Sequence, residues 1–307
     1  MKDSVKVFGP ATVSNVGPGF DLLGFALEQP GDEIIIRRNN HLGLQLINKT
    51  PFELPADPGK NISAVAARAL LNALNASEDF DIIFTKKIKP GSGIGSSAAS
   101  CAAAVVGINE LLGAPLTPEE LIPFAMKGEM VASGSRHADN IAPALLGGFT
   151  LIRGYDPIDI KHLPYPDDLW CTVVHPELEI KTLESRQLIP DHVKLKTALE
   201  QCGNLAGLVA GLATGDYPLI SRSVTDRFAE PYRILQIPGY DDLRKKALDA
   251  GSVGTGLSGS GPSVFSLCRG AELAESVGKI KSAHFKHHQI PCHIYVSKVS
   301  EAGCRIV

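Results

Sequence analysis

The run from Pro90 to Ser100, P-G-S-G-I-G-S-S-A-A-S, carries the residues best suited to chemistry in this chain. Its glycines let the backbone turn tightly, with N–H groups directed at one concavity. A β-like segment at 79–87 precedes it, and an alanine-rich helix predicted over 96–112 follows, adding unpaired amides and a positive dipole end. This arrangement favours a bound phosphate. A flexible linker is the alternative, but it would not run straight into a strong helix.

The spacing of these glycines argues against the two commonest nucleotide loops. A Walker loop needs a lysine after its second glycine, and none follows here. A dinucleotide-binding fingerprint needs G-x-G-x-x-G after the first strand of a βαβ unit, and Gly91, Gly93 and Gly95 are spaced differently. The predicted phosphate site is therefore of another type.

Composition places the chain among ordinary globular proteins. Its 307 residues are 44% hydrophobic and 21% charged, which suits one large or two medium domains. A net charge of −3 gives no basic field for nucleic acid, and no apolar run approaches the roughly 20 residues of a membrane span. No signal peptide is visible, so we expect a cytoplasmic protein. The six scattered cysteines are expected to be reduced thiols.

A histidine-rich run from His284 to His293 raises the question of a metal site. No acidic partner or matching Cys/His pair lies nearby in the sequence. The favoured interpretation is a polar helix end that passes through Pro291 into a strand.

Strands and helices alternate irregularly along the chain, which predicts an α+β fold rather than a doubly wound sheet. Thr117 and Glu120 form a capping box with Pro118 at the first helical position, although Pro123 predicts a kink or a late start. The predicted strands are at 5–8, 33–38, 42–47, 149–152, 169–174, 253–257, 264–267 and 293–299. The 33–38 and 42–47 segments flank an Asn39-Asn40 turn and are predicted to form an antiparallel hairpin. Further helices open at Asn61 and lie near 194–213, 217–227, 241–250 and 272–285.

A Pro/Asp-rich stretch at 156–168 predicts a domain boundary. We place an N-terminal domain at 1–160 and a C-terminal domain at 161–307. No internal repeat stands out.

Two further segments combine glycine with polar residues. The first, Ala11–Leu27, is predicted to be a structured loop that contains Asn15 and Asp21, and these residues could simply bond turn amides. The second, Gly254–Phe265, has four glycines between two apolar stretches. It predicts either a tight hairpin or a loop that a ligand or another backbone approaches closely.

Together these segments resemble the GHMP kinases, whose signature G-[LI]-G-S-S-A-A is matched by Gly93–Ala99. The resemblance implies a ribosomal protein S5-like N-terminal domain and a ferredoxin-like C-terminal domain. It also implies that ATP and Mg²⁺ take part, with Ser97 and Glu129 as the metal ligands. Glu129 could otherwise be a solvated helix residue. The residues implied to bind ATP are Asn61, Pro90, Gly91, Ser92, Gly93, Ile94, Gly95, Ser96, Ser97, Ala98, Ala99 and Ser100.

The acceptor site follows from the same resemblance. The 11–27 segment is similar to the first motif of the branch that phosphorylates homoserine, which implies that Asn15 and Asp21 contact the amino acid. Asp21 suits its ammonium group. Residues 181–186 resemble a T-x-x-A-R segment with Ser185 in place of alanine, and 226–233 match D-R-x-x-x-P-Y-R. Arg186 and Arg233 are thereby candidates for the α-carboxylate, although both could be surface residues.

The catalytic residues implied are Asn140, Asp139 and Glu129. Many superfamily members have an aspartate base about seven residues before paired glycines, and that position here is Asn140. An amide cannot usefully accept a proton, so Asn140 would orient the acceptor hydroxyl. Catalysis without a protein base is tolerable because positioning and charge stabilisation dominate phosphoryl transfer. Asp139 as the base remains an alternative.

The activity implied is transfer of the ATP γ-phosphoryl group to the side-chain hydroxyl of L-homoserine, for threonine biosynthesis. A mevalonate-type alcohol kinase and a non-catalytic ligand sensor on the same scaffold are the alternatives. We expect neither nucleic acid nor membrane as a partner. The sequence leaves a homodimer and feedback regulation open.

Overall fold

The computed structural model of the protein describes residues 2–41, 43–86, 88–180 and 182–307. Lys87, at the end of the predicted 79–87 segment, and Lys181, at the start of the 181–186 segment, lie outside the described residues. No helix in the described part of the chain is long and apolar enough to cross a membrane.

The first of two sheets has seven strands and is built mainly from the N-terminal half. Its central path runs β11-β1-β2-β4-β3, while β5 pairs with the start of β2 and with β6. Only the β3–β4 pair is parallel among the strands that the structure describes. The strands are β1 (Ser4–Ser14), β2 (Leu23–Arg38), β3 (Gln45–Asn48), β4 (Phe80–Thr85), β5 (Phe149–Tyr155), β6 (Ile158–Leu163) and β11 (Arg305–Ile306).

Four helices pack with this sheet: α1 (Ile62–Ala73), α2 (Ser96–Leu111), α3 (Pro118–Ser133) and α4 (Ile141–Leu146). The alanines of α2 are fully buried, and its Gly107 lies so close to the sheet that an added Cβ would overlap Ile36. Small side chains therefore let α2 lie directly on β1 and β2. This contact fixes the N-terminus of α2, where the 90–100 loop ends.

The second sheet has four antiparallel strands in the order β10-β7-β9-β8. The chain passes through it as β-α-β-β-α-β, with several helices in the first crossover, which is the ferredoxin-like arrangement. Its elements are β7 (Leu169–Pro176), α5 (Thr182–Gln187), α6 (Leu195–Thr214), α7 (Tyr217–Ser223), α8 (Glu230–Arg233), a 3₁₀ turn (Ile234–Gln236), α9 (Tyr240–Asp249), β8 (Gly254–Leu257), β9 (Val264–Arg269), α10 (Ala271–His287) and β10 (Cys292–Lys298).

The α+β prediction is confirmed, and so are the helix starts that depended on local chemistry. Asn61 caps α1 by accepting hydrogen bonds from the amides of Ser63 and Ala64. Thr117 and Glu120 form the capping box of α3. The six cysteines are free thiols. Residues 284–293 are the end of α10 and the start of β10, as the polar helix-end interpretation predicted.

Several predictions were wrong or incomplete. The 11–27 segment is a loop only at 15–22, because its first four residues complete β1 and Leu23–Leu27 begin β2. The helix α3 begins at Pro118, so the late start expected from Pro123 is wrong.

The antiparallel hairpin predicted for 33–38 and 42–47 is wrong, because β3 pairs in parallel with β4 and, among the described residues, not with β2. Leu42, at the start of the second segment, lies outside the described residues. Both β6 and β11 were missed because they are short and only partly buried, and α4 because it has under two turns.

The division of the chain at residue 160 stays a prediction. The first sheet continues through β6 to Leu163 and also takes in β11 near the C-terminus. The polar stretch at 156–168 therefore contains a strand as well as a connection.

Candidate active site

A cavity of about 300 Å³ opens where the loop after β1, the 90–100 loop, the end of α3 and the β8–β9 turn meet. Most of the residues singled out from the sequence line it. They are Asn15, Asp21, Asn61, Pro90, Gly91, Gly93, Gly95, Ser96, Ser97, Ser100, Glu129, Asp139, Asn140, Arg186 and Arg233.

Main-chain amides dominate the wall formed by the 90–100 loop. Gly95, with a φ of 68°, is the N-cap of α2 and provides no side-chain cap. Within the described residues, no oxygen accepts a hydrogen bond from the amides of residues 93–98. Unpaired amides at a helix N-terminus that face a cavity form an anion-binding site.

Four residues of the 90–100 loop do not line the cavity. The side chains of Ile94, Ala98 and Ala99 are fully buried in the core, and Ser92 is nearly so. Their predicted contact with ATP could therefore involve only the main chain.

The 254–265 loop packs directly on the 90–100 loop. Ser258 Oγ donates to the carbonyl of Gly93 at 2.7 Å, and Ser263 Oγ donates to that of Ser92 at 2.6 Å. A Cβ on Gly261 would lie 2.5 Å from the Cα of Gly93. The segment is a hairpin between β8 and β9 that another backbone approaches closely, so both alternatives from the sequence hold.

A buried ion pair supports the first turn of α2. Lys86 Nζ lies 3.1 Å from Asp32 Oδ2 and donates to Ser96 Oγ at 2.8 Å and to the Ser96 carbonyl at 3.2 Å. Ser100 Oγ donates to the same Asp32 oxygen at 2.7 Å. Burial raises the pKa of Asp32, and Lys86 opposes that shift. No local pattern in the sequence pointed to this pair, because Asp32 is in β2 and Lys86 follows the distant strand β4.

Glu129 and Ser97 form a hydrogen-bonded pair that lines the cavity beside the unpaired amides. Ser97 Oγ donates to Glu129 Oε1 at 3.0 Å. Glu129 is buried on α3, so it is not the solvated helix residue considered as an alternative. Burial raises the pKa of its carboxyl, while the nearby His137 acts in the opposite direction.

Asn140 bonds the end of β1 and lies close to Gly95 of the 90–100 loop. Its Nδ2 donates to Ser14 Oγ at 2.9 Å, and its Oδ1 accepts from Thr12 Oγ1 at 2.7 Å. A Cβ on Gly95 would lie 3.0 Å from Asn140 Oδ1. Sequence reasoning missed Thr12 and Ser14, although both fall within the 11–27 segment that it singled out.

Asp139 is buried beside His137, whose Nδ1 lies 3.4 Å from its Oδ1. Burial alone would lower the pKa of His137, but Asp139, Glu129 and Asp21 together outweigh burial and raise it to about 9. The imidazole is therefore charged at neutral pH. Sequence reasoning also missed His137, which lies in the same R-H-A-D-N run as Asp139.

The far wall carries opposite charges that pair with each other. Arg186 donates to both oxygens of Asp21, at 3.1 and 2.6 Å. Asn15 Oδ1 accepts from the Asp21 amide at 3.1 Å, and its Nδ2 donates to the Gly259 carbonyl at 3.2 Å. These contacts fix a loop in which Asp21 has a φ of 58°.

A second guanidinium completes this wall. Arg233 Nη1 donates to the Gly259 carbonyl at 3.0 Å, and its Nε has no acceptor among the residues that the structure describes. The Phe20 ring lies 5.4 Å from the Arg233 guanidinium and 5.5 Å from that of Arg186. Arg233 is buried, so it is not a surface residue, and Arg186 is held at the cavity by Asp21.

Comparison with known proteins agrees with this fold and site. The model of the GHMP kinases N terminal domain matches residues 61–148, and that of the GHMP kinases C terminal matches 208–287. A mevalonate kinase structure from L. major, 18% identical, superposes with a TM-score of 0.75 over 97% of this chain and 98% of its own, which supports the fold alone. These matches define the class as that of the GHMP kinases.

Closer relatives identify the branch. Homoserine kinase of Chlorobium phaeobacteroides is 42% identical over 99% of both chains, and that of Pyrococcus abyssi is 34% identical over 97% of this chain and 98% of its own. The crystal structure of homoserine kinase from Cytophaga hutchinsonii has 46% identity and a TM-score of 0.97, over 100% of this chain and 98% of its own. The chain belongs to the homoserine kinase family of the GHMP kinases.

Proposed function

We infer that this protein transfers the γ-phosphoryl group of ATP to the side-chain hydroxyl of L-homoserine, giving O-phospho-L-homoserine for threonine biosynthesis. One observation carries the inference. A single cavity has unpaired amides on one wall and a carboxylate with two guanidiniums on the other, among the residues that the structure describes. A triphosphate and an amino-acid zwitterion are the ligands that match these two walls.

The phosphates of ATP would bind at the amides of residues 93–98, which also present the positive end of the α2 dipole. Asn61 contributes by shaping the wall, because its oxygen caps α1 and its Nδ2 donates to the Pro55 carbonyl at 3.0 Å. The adjacent apolar side chains of Leu54 and Ile62 line the cavity and would contact the nucleoside.

Ser97 and Glu129 would hold Mg²⁺. The described residues contain no group of three or more His, Cys, Asp or Glu suited to a metal, so an all-protein cage is absent from that part of the chain. A hydroxyl and a carboxylate 3.0 Å apart beside the phosphate wall fit Mg²⁺, which binds one or two protein oxygens together with phosphates and water. When bound, the ion neutralises charge on the phosphates.

The homoserine ammonium would bind Asp21, and its carboxylate would bind Arg186 and Arg233. Arg233 has donor capacity to spare, whereas Arg186 and Asp21 already neutralise each other. When homoserine binds, its ammonium group can pair with Asp21 and its carboxylate with Arg186, so that every charge stays compensated. Mevalonate has no ammonium and would leave Asp21 beside a second carboxylate.

Asn140 would orient the acceptor hydroxyl, since it lines the cavity beside Gly95. The hydroxyl oxygen forms the new bond to the γ-phosphorus as the bond to the β–γ bridging oxygen breaks. The hydroxyl proton passes to the transferred phosphoryl group or to water, without a dedicated protein base. His137 engages Asp139 at 3.4 Å, which supports a role for Asp139 in holding the imidazolium rather than as the base.

A coupled ADP-release assay tests the proposal. L-homoserine, mevalonate, L-serine and galactose are compared at equal concentration, and ³¹P NMR identifies the product. We expect homoserine to be preferred over mevalonate and galactose by about 100-fold or more, because charged hydrogen bonds to both ends of the zwitterion are each worth about 1.5–3 kcal/mol. L-serine carries the same charges and should be the poorer substrate because its hydroxyl is one methylene closer to them. Preference for mevalonate, or ADP release that no acceptor stimulates, would refute it. A cytoplasmic location stays a prediction.

A further inference from the structure

One tyrosine hydroxyl outside the cavity joins the two segments that form the acceptor site. Tyr155, at the end of β5, donates through its hydroxyl to the main-chain carbonyl of Asp21 at 3.0 Å. The same hydroxyl accepts a hydrogen bond from the amide of Ala138 at 3.1 Å. A phenol has one proton to donate, so its donor is fully used and its acceptor side is engaged.

The two segments hold opposite ends of the proposed substrate. Asp21 carries the carboxylate assigned to the ammonium group. Ala138 lies between His137 and Asp139 and is two residues before Asn140, which is assigned to the reacting hydroxyl. The Tyr155 hydroxyl therefore helps to set the separation between the amino-acid end and the hydroxyl end of the site.

The Asp21 main chain needs such support. Its φ of 58° is in the left-handed region, which non-glycine residues rarely occupy without tertiary contacts. Asn15 holds its amide at 3.1 Å, and Tyr155 holds its carbonyl. Arg136 in turn donates to the Tyr155 carbonyl at 2.9 Å and lies 6.0 Å from its ring, so the tyrosine is itself fixed.

We propose that Tyr155 is a positioning residue that sets the chain length of the amino alcohol accepted by this enzyme. The inference rests on the proposed function. Tyr155 does not line the cavity, so it acts only through the segments that it connects. A misplacement of about 1 Å can cost on the order of 100-fold in rate, and one methylene changes the reach of the acceptor by a similar amount.

The test is Tyr155→Phe, which removes only the oxygen and leaves the Asp21 carbonyl and the Ala138 amide without that partner. We expect kcat/KM for L-homoserine to fall about tenfold or more, because the segments that carry Asp21 and Asn140 lose their common partner and the substrate is misplaced. The ratio of kcat/KM for homoserine to that for L-5-hydroxynorvaline, which is one methylene longer, should fall about threefold or more. The KM for ATP should change by less than about twofold, because the displacement is confined to the acceptor site. A general loss of structure would instead change the KM values for both ATP and homoserine.

Tyr165→Phe is the matched control. Tyr165 is half-buried against Phe149, and its hydroxyl has no hydrogen-bond partner in the described part of the chain. The same chemical change there should leave the kcat/KM for homoserine and the homoserine-to-hydroxynorvaline ratio at their wild-type values. Thermal melting of the two variants shows whether each is folded.

Three outcomes are distinguishable. A reduced homoserine-to-hydroxynorvaline ratio in Tyr155→Phe alone supports the assignment. An unchanged ratio would overturn the assignment. A fall in kcat/KM that is equal for the two acceptors, or a lower melting temperature, would then show that the role of Tyr155 is structural. Wild-type protein that phosphorylated neither amino alcohol would refute the proposed function and this inference with it.

Discussion

The two walls of the cavity are built in different ways. On the phosphate wall, the amides of residues 93–98 are unpaired among the described residues, and the groups behind them, Lys86 and Asp32, are buried and paired with each other. On the acceptor wall, the side chains of Asp21 and Arg186 bond each other. The phosphate wall is thus preformed. On the acceptor wall, Asp21 and Arg186 neutralise each other until a ligand with both charges takes the place of one partner of each.

The difference predicts what each wall can discriminate. Main-chain amides recognise negative charge and little else, so any triphosphate tail satisfies them. The acceptor wall recognises the combination of an ammonium and a carboxylate, because either charge alone leaves a partner uncompensated. Changes on the first wall should therefore affect nucleotide binding, and changes on the second should affect homoserine selectively.

The largest effect is expected from Gly95→Val on the phosphate wall. Gly95 has a φ of 68°, and an added Cβ would overlap Thr12 Oγ1 and approach Asn140. Nucleotide binding, measured by calorimetry, should be lost, and kcat/KM should fall about 1,000-fold, as when a catalytic hydrogen-bond donor is removed. Gly113→Val is the control, since Gly113 also has a positive φ but no described atom lies within 4 Å of where its Cβ would be. Retained affinity in Gly95→Val would contradict the phosphate assignment.

Arg233→Ala should have the next largest effect, and on the acceptor wall only. Loss of a charged hydrogen bond worth about 1.5–3 kcal/mol should raise the KM for homoserine about 10- to 100-fold and that for ATP by less than about threefold. Steady-state kinetics with each substrate varied measures both. Arg227→Ala is the control, because Arg227 belongs to the same D-R-x-x-x-P-Y-R segment but pairs with Glu200 at the surface. Equal changes in both KM values would remove Arg233 from the acceptor wall.

Asn140→Ala removes a side chain that lines the cavity beside Gly95. It should mainly lower kcat, by about tenfold, because it removes orientation but no proton acceptor. Asp139→Asn should retain more than about one hundredth of kcat, since loss of a general base would cost about 100- to 10,000-fold. Single-turnover rates at saturating substrates measure both. A fall in kcat of about 100-fold or more in Asp139→Asn would identify Asp139 as the base.

The last prediction concerns the free energy of unfolding rather than kinetics, and it falls on Glu230 behind the acceptor wall. Burial raises the pKa of Glu230, three residues before Arg233, from 4.5 to about 7, and Arg244 opposes this shift. Because the folded pKa lies above the unfolded value, the contribution of Glu230 to stability is complete below pH 4.5 and is lost as the pH rises through 7. Glu230→Gln should thus gain up to about 3 kcal/mol relative to wild type between about pH 4.5 and about pH 8.

Urea denaturation at the two pH values measures this gain. Glu200→Gln, at the exposed Arg227 pair, is the control and should show no comparable pH dependence. A constant difference between Glu230→Gln and wild type at both pH values would contradict the buried-acid interpretation.

The same contrast explains how much the sequence could predict. The 90–100 loop was predictable because its chemistry is that of the main chain, and glycines before a helix are a local signal. The caps at Asn61 and Thr117 were local for the same reason. The Asp21–Arg186 pair, the Lys86–Asp32 pair and the contacts of Asn140 with Thr12 and Ser14 depend on sheet register and on distant segments. Hydrophobic periodicity in the sequence does not predict such contacts, and only family resemblance pointed to Asp21 and Arg186.

The most direct test of the two-wall assignment is a crystal structure with a non-hydrolysable ATP analogue, Mg²⁺ and L-homoserine. We expect phosphate oxygens within hydrogen-bond distance of the amides of residues 93–98, with the homoserine ammonium on Asp21. Phosphates bound elsewhere, with those amides still unpaired, would contradict it.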